Sequence, residues 1–248
     1  MDTDRCNEAK IIDSWARNAS AWTDSVRRQE IESRRLVTDS AILDVIRQHA
    51  PRSVLDIGCG EGWLARALAA QQIEVTGLDA VPELIRRAQQ EGGGTFRVAT
   101  FEDIVAGRID LSAALAVCNF SLLGKESVER LLAAMPRLLG AHGVLVIQTV
   151  HPLMACGEGL PYRSGWRCET WAGFRSQFCS AAPWYFRTLP DWVELLGSSG
   201  LQLMHIREPL HPATARPASL ILVGCVPDLT SSWSATRLDR AALPGLAT

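Results

Sequence analysis

From residue 39 onward, short apolar runs closed by turn residues alternate with stretches in which apolar residues recur every three or four positions. The first kind reads as buried strand and the second as amphipathic helix. Val54, Leu55 and Ile57 make the first run, suited to a parallel strand covered on both faces. The pattern then predicts a helix over 62–71, a second strand over 73–78, a helix over 82–91 and a third strand over 95–99. A fourth strand follows over 112–118, a helix over 126–139 and a fifth strand over 143–149. Pro136 lies inside that helix and is expected to kink it, because it cannot donate to the carbonyl four residues back. A helix over 189–198 and strands over 201–207 and 218–226 complete a seven-strand plan. Strand and helix in alternation, joined by right-handed crossovers, give an α/β fold with a doubly wound parallel sheet.

Three helical stretches precede this region, over 7–20, 22–35 and 39–49. The last carries Ala41, Ile42, Val45 and Ile46 on one side, with Thr38 or Asp39 as its N-cap. Trp15 and Trp22 stand seven residues apart, on one face if a single helix carries both. They either anchor the N-terminal helices to the core or form a lid that touches ligand. Residues 153–187 hold Tyr162, Trp166, Trp171, Phe174, Phe178, Trp184, Tyr185 and Phe186 among Gly, Ser and Arg without a clean period. They read as an insertion covering the active edge. The organisation expected is an N-terminal helical lid over 1–37, a main domain over 38–226 and a loosely attached tail over 227–248.

The most specific stretch is Ser53-Val-Leu-Asp-Ile-Gly-Cys-Gly-Glu-Gly62, which joins the first strand to a glycine turn and a helix. Gly58, Gly60 and Gly62 remove side chains where the backbone turns tightly and a ligand comes close. Asp56 precedes the turn, and Asp79 closes the second strand. A dinucleotide fingerprint, G-x-G-x-x-G, needs a third small residue for close helix packing. Here that position is Trp63, and Asp56 would repel a pyrophosphate while suiting an ammonium group.

The stretch resembles motif I and the following acidic strand end of the class I S-adenosylmethionine (SAM) dependent methyltransferases. The order of elements follows that family from about Ser40 to Val226, and the motif-level match is Val54–Gly62 and Asp79. The resemblance implies a Rossmann-like, mostly parallel seven-stranded sheet whose last strand is antiparallel and inserted between strands five and six. It also implies a loop at Gly58, Cys59 and Gly60 packed on the amino acid part of SAM, with Asp79 accepting from both ribose hydroxyls. A carboxylate has lone pairs enough for two donors.

Ligands of open α/β sheets bind beyond the carboxyl ends of the strands. That rule adds Ala80 after the second strand, Thr100, Phe101 and Glu102 after the third, and Cys118, Asn119 and Phe120 after the fourth. By resemblance the third strand end cradles adenine; Thr100 stands where many relatives have Asp, so the contact to the adenine amino group falls to Glu102 or to backbone. Phe101 lies along the purine or is plain packing. Cys118 reads as a small core residue near SAM, and Asn119 as a cofactor contact. The fourth strand lacks the Pro-Pro-aromatic sequence of nucleobase amino-methylating enzymes, which grip a flipped base. Catechol-type enzymes carry Asp at this strand end and Asp-Asn after the fifth strand; Cys118 and His151-Pro152 stand there, so no metal is expected. His151 is either a general base toward the methyl acceptor or a His-Pro turn bonded to backbone. Glu208 and His211 are weaker candidates on the same edge. Trp22, Phe120, His151, Tyr162, Trp171 and Tyr185 are the expected acceptor contacts.

At 248 residues, 47% of them hydrophobic, the chain suffices for one well-buried domain. A net charge of -2 with dispersed Lys and Arg gives no nucleic-acid footprint. Seven cysteines without a C-x-x-C pair argue against a disulfide framework or structural zinc. The start, Met-Asp-Thr-Asp-Arg-Cys, has neither a basic leader nor an apolar core, and no apolar run has membrane-span length, so a cytoplasmic protein without a membrane partner is expected. The expected activity is metal-independent transfer of a methyl group from SAM to O, N or C of a small metabolite, leaving S-adenosylhomocysteine (SAH), by a monomer or homodimer. The alternatives are a non-methylating enzyme of this fold, such as a pericyclase or aminopropyl transferase, and a SAM-sensing module.

Overall fold

Residues 8–157, 159–168, 171, 177–179 and 182–228 are described by a computed structural model. Helix α1 (Ala9–Arg27) leads through a π-helical segment (Arg34–Thr38) into α2 (Asp39–Gln48). There follow β1 (Ser53–Ile57), α3 (Trp63–Ala69), β2 (Glu74–Asp79), α4 (Pro82–Glu91), β3 (Thr95–Val98), α5 (Phe101–Val105) and β4 (Leu115–Asn119). The chain continues through α6 (Glu126–Leu139), β5 (Val144–Thr149), α7 (Pro152–Cys156), β6 (Gly165–Cys168), β7 (Pro183–Phe186), α8 (Leu189–Ser198), β8 (Gln202–Arg207) and β9 (Leu220–Cys225).

Seven strands form one sheet in the order β3-β2-β1-β4-β5-β9-β8. Only β9 runs antiparallel to its neighbours, lying between β5 and β8 as the resemblance implies. The central strands are apolar on both faces, and alternation sends successive side chains to opposite sides. Leu55, Ile57, Ala116, Cys118, Leu145, Ile147, Leu220 and Leu222 face one way, onto Leu131, Leu132 and Met135 of α6 and Leu196 of α8. Val54, Leu115, Val117, Val146, Ile221 and Val223 face the other, onto Ile42 and Ile46 of α2 and Leu64 and Leu68 of α3. Each fully buried Leu or Ile contributes on the order of 1.5–3 kcal/mol. The sheet is thereby a rigid platform whose β1, β2 and β4 ends open onto one edge.

Several elements differ from the sequence expectation. The stretches 7–20 and 22–35 are not two helices: α1 continues unbroken to Arg27, burying a face of small and polar residues, Ser14, Asn18, Ala19 and Thr23, in place of an apolar stripe. Thr38 stands at the N-cap position of α2 but makes no side-chain capping bond, because the π-helical segment runs directly into that helix. The fourth strand starts at Leu115, not Ser112, and helices α5 and α7 were not anticipated. Helix α6 continues through Pro136 to Leu139. The aromatic insertion is partly regular: β6 and β7 pair antiparallel, Trp166 opposite Tyr185. Its Phe174 and most of the expected tail, from residue 229, lie outside the described residues. Cys168 is disulfide-bonded, against the expectation from cysteine spacing, whereas Cys59, Cys118, Cys156, Cys179 and Cys225 are free.

Candidate active site

At the end of β1 the backbone turns through Gly58, Gly60 and Gly62, all with positive φ (78°, 58° and 83°). The amides of Gly58 and Cys59 donate to the Leu78 carbonyl of β2 at 2.7 and 2.9 Å. Asp79 then accepts from the amide of Gly60 at 2.9 Å and from that of Val81 at 2.8 Å. The carboxylate at the end of β2 therefore staples the glycine loop and the start of α4 together. A Cβ on Gly58 would lie 2.2 Å from that of Ser121, whereas one on Gly60 would meet only the Trp22 indole nitrogen, at 3.8 Å. Gly58 is closed against protein; Gly60 opens onto a cavity.

That cavity, about 750 Å³, lies over the ends of the central strands. Of the residues singled out from sequence it is lined by Gly58, Cys59, Gly60, Asp79, Ala80, Thr100, Phe101, Glu102 and Asn119, and by Trp22, Phe120, Trp171 and Tyr185. Trp15 lines it too, edge-on to Trp22 at 5.1 Å and to Trp171 at 5.6 Å. Because both tryptophans also pack on Ala19, Val81 and Leu84, they are at once anchor and cavity wall.

Four of the expected site residues are not among the lining. Cys118 is fully buried in the core, where burial pushes its thiol well up and leaves it no nucleophile. The ring of Tyr162 lies 6.1 Å from that of Phe186, and its hydroxyl accepts from the Leu189 amide, so it braces the β7–α8 junction. His151 is buried at the head of α7, its Nε2 2.7 Å from Glu208 Oε1. This ties the end of β5 to the segment after β8, and the other ring nitrogen, Nδ1, has no hydrogen-bond partner among the described residues. Asp56 lies beneath the loop, buried, with Oδ1 lacking a partner among the described residues.

Burial, aided by the charge of Asp79, pushes Asp56 up to about 7. Burial also raises Asp79, opposed by its two amide donors. Two carboxylates close together in a dry pocket disfavour ionisation and favour a cationic ligand. Because the folded-state pKa of Asp56 lies above its unfolded value, its stability contribution is complete below about pH 4 and is lost as pH rises through about 7. Asp56→Asn should thus stabilise the ligand-free protein on the order of 2–3 kcal/mol more near pH 8 than near pH 5. Thermal melts across that range check this; an equal shift at both pH values would contradict the assigned cause.

Arg34, in the π-helical segment, was not singled out from sequence. Its guanidinium lies 4.6 Å over the Trp63 ring and 5.8 Å from that of Trp22, and its Nε donates to Asp39 at 3.0 Å. It is 8% exposed, lines the cavity, and its Nη2 has no hydrogen-bond partner among the described residues. Glu61, beside it, has its charge taken up by Arg66 at 2.7 Å and Arg27 at 3.1 Å. Among the described residues no group of three or more His, Cys, Asp or Glu is arranged to hold a metal ion. No described helix is long and apolar enough to cross a membrane.

Sheet order, antiparallel β9 and a glycine loop clasped by an acidic strand end together define the methyltransferase class of Rossmann-like α/β folds. A family model described as a methyltransferase domain matches residues 29–206, and the chain belongs to that family. It is 34% identical over 121 residues to a ubiquinone biosynthesis O-methyltransferase of Xylella fastidiosa, covering 46% of this chain and 49% of that protein. It is likewise 34% identical over 109 residues to a demethylmenaquinone methyltransferase of Deinococcus radiodurans, covering 42% and 45%. The chain thus spans about half the length of the curated relatives it matches. Magnesium protoporphyrin IX methyltransferase from Synechocystis, solved with bound SAH, has the same fold at a TM-score of 0.59 and 17% identity, covering 88% of this chain and 99% of that one. A SAM-dependent methyltransferase from Mesorhizobium loti aligns at a TM-score of 0.54 and 23% identity, covering 73% and 96%.

Proposed function

We propose that the protein is a SAM-dependent methyltransferase acting without a metal on O, N or C of a small acceptor, as a cytoplasmic monomer or homodimer. The reading rests on the cradle in which Asp79 is fixed by two backbone amides, Gly60 opens onto the cavity, and Arg34 presents an unpaired Nη2. In this assignment Asp79 accepts the ribose hydroxyls, the loop at Gly58–Gly60 packs on the amino acid portion, and Thr100, Phe101 and Glu102 flank adenine. Arg34 holds the carboxylate, a group for which a guanidinium fork is well matched. The quinone-pathway names of two relatives are in keeping with a small, ring-bearing acceptor.

SAM carries its methyl on a sulfonium, so displacement needs an aligned nucleophile more than a reactive side chain. Alignment alone supplies effective molarities of about 10⁵ to 10⁸ M. The chain's part is to fix the cofactor between Asp79 and Arg34, exclude water with Trp15, Trp22 and Trp171, and hold the acceptor against Phe120 and Tyr185. We assign His151 a bracing role through Glu208, outside the transfer step.

The unpaired Nη2 of Arg34 favours methyl transfer over the aminopropyl-transferase reading, because decarboxylated SAM would leave that donor unmatched. SAM should bind at least about tenfold more tightly than decarboxylated SAM by calorimetry, and Arg34→Met should erase the preference. Methyl-labelled SAM incubated with fractionated extract should yield SAH and a labelled product. Equal binding of the two cofactors, or no labelled product at all, would count against the reading.

A further inference from the structure

Arg187, between β7 and α8, is 4% exposed and lines the cavity. Its Nη1 donates to the Gly124 carbonyl and its Nη2 to the Lys125 carbonyl, each at 2.9 Å. Its guanidinium also lies 4.9 Å from the Tyr185 ring and 5.1 Å from the Trp192 ring. The nearest carboxylate, Glu129, is at 3.8 Å, beyond hydrogen-bond distance. A guanidinium has five N–H donors, and both oxygens that Arg187 engages are neutral. A buried cation so placed is costly unless a matching anion completes it.

Among the described residues no acidic group hydrogen-bonds the Arg187 guanidinium, and Glu129 alone comes within ion-pair range. Glu8 spends its carboxylate on the first turn of α6, accepting from the Ser127 amide at 3.0 Å and the Ser127 hydroxyl at 3.1 Å, at the positive end of that helix dipole. Asp191 accepts from the Ser164 hydroxyl. Glu129 is half-exposed. These charges make a buried guanidinium tolerable at a distance, while its two direct hydrogen bonds go to neutral carbonyls. Burial in fact lowers its pKa despite them.

Flat rings and one planar cation thus share the wall of the cavity. We propose that Arg187 is the specificity anchor of the acceptor site and that the acceptor is an aromatic carboxylic acid, its carboxylate on the guanidinium and its ring against Tyr185 and Trp192. This deepens the methyltransferase reading and rests on it for the word acceptor, but the binding site stands on Arg187 itself. A carboxylate fits because it takes two parallel N–H donors, whereas a carboxamide of the same shape brings its own N–H groups against a cation.

The test uses 4-hydroxybenzoate and 4-hydroxybenzamide as probes of one shape and different charge. Each is titrated into the full chain, with and without saturating SAH, following quenching of tryptophan fluorescence. We expect the carboxylate to bind at least about tenfold more tightly than the amide at low salt, a preference that shrinks as salt is raised. Arg187→Gln should bring the two affinities together, while Arg187→Lys, keeping the charge without the fork, should retain part of the difference. Equal affinities in the wild type, binding of neither probe, or a preference undiminished in Arg187→Gln would overturn the proposal. The wild-type comparison stands even if that variant, which loses two backbone contacts, folds poorly. Failure of SAH to bind while the probe preference persists would instead strike the cofactor reading and leave the anion site intact.

Discussion

Gly58→Ala is expected to abolish measurable SAM and SAH binding and to cost about 2–5 kcal/mol of stability. Two terms add. At φ 78° an L side chain occupies the left-handed region, which costs roughly 1–2 kcal/mol. The new Cβ would also stand 2.2 Å from the Cβ of Ser121, whose hydroxyl donates to the Ile57 carbonyl at 2.6 Å and so cannot withdraw without breaking that bond. Overpacking of this kind costs about 1–3 kcal/mol more and moves the loop that Asp79 clasps. Gly60→Ala is the informative control. Its Cβ meets no backbone, only the Trp22 nitrogen at 3.8 Å, and projects into the cavity. At φ 58° it carries the same left-handed cost but not the clash, so it should lose cofactor affinity with a smaller fall in melting temperature. Calorimetry and thermal melts on both variants decide the matter: wild-type SAH affinity in Gly58→Ala would mean the loop does not hold the cofactor.

The parts of this fold legible in sequence are those in which local chemistry and burial agree. Helix α4 begins with Pro82 at its first position, and α8 is capped by Thr188, whose hydroxyl accepts from the Asp191 amide at 3.3 Å; both occupy their expected spans. The β1 run, the glycine turn and Asp79 were legible because a tight turn beside an acidic strand end leaves little choice of residue. The sequence suggests two helices where α1 is one because its buried face is polar: Asn18 donates to the Ser14 carbonyl at 3.0 Å and Thr23 to that of Ala19 at 2.8 Å, so no apolar period marks it. Helices α5 and α7, of five residues each, are too short to show a period.

The site divides in the same way. The β1-loop-β2 unit is readable in sequence, whereas contacts between distant parts of the chain are not. Arg34 looks like any surface arginine in a run of Ser, Arg and Arg, and only the fold sets it over Trp63. Arg187 follows an aromatic triplet, and nothing local says that its partners are the carbonyls of Gly124 and Lys125, some sixty positions earlier. His151 shows the same limit: its place after β5 is legible in sequence, but its contact with Glu208, 57 positions later, is not.

Asp79→Ala should weaken SAM binding on the order of 2–4 kcal/mol, about 30- to 1000-fold, more than the loss of a ribose contact alone would give. The carboxylate has a second duty inside the protein: without it the amides of Gly60 and Val81 lose their acceptor and the loop loses its tie to the end of β2. Asp79→Asn separates the two duties. An amide oxygen can still accept from one of those backbone donors, but the NH₂ group cannot accept from a ribose hydroxyl, so stability should recover more than affinity does. The same substitution removes the charge that helps push Asp56 up to about 7. The pH-dependent loss of stability assigned to Asp56 should then move to lower pH in Asp79→Asn, with burial alone still holding it above the ordinary carboxylate range. An unchanged pH profile, together with near wild-type SAM affinity, would show that the two carboxylates neither sense each other nor share the cofactor.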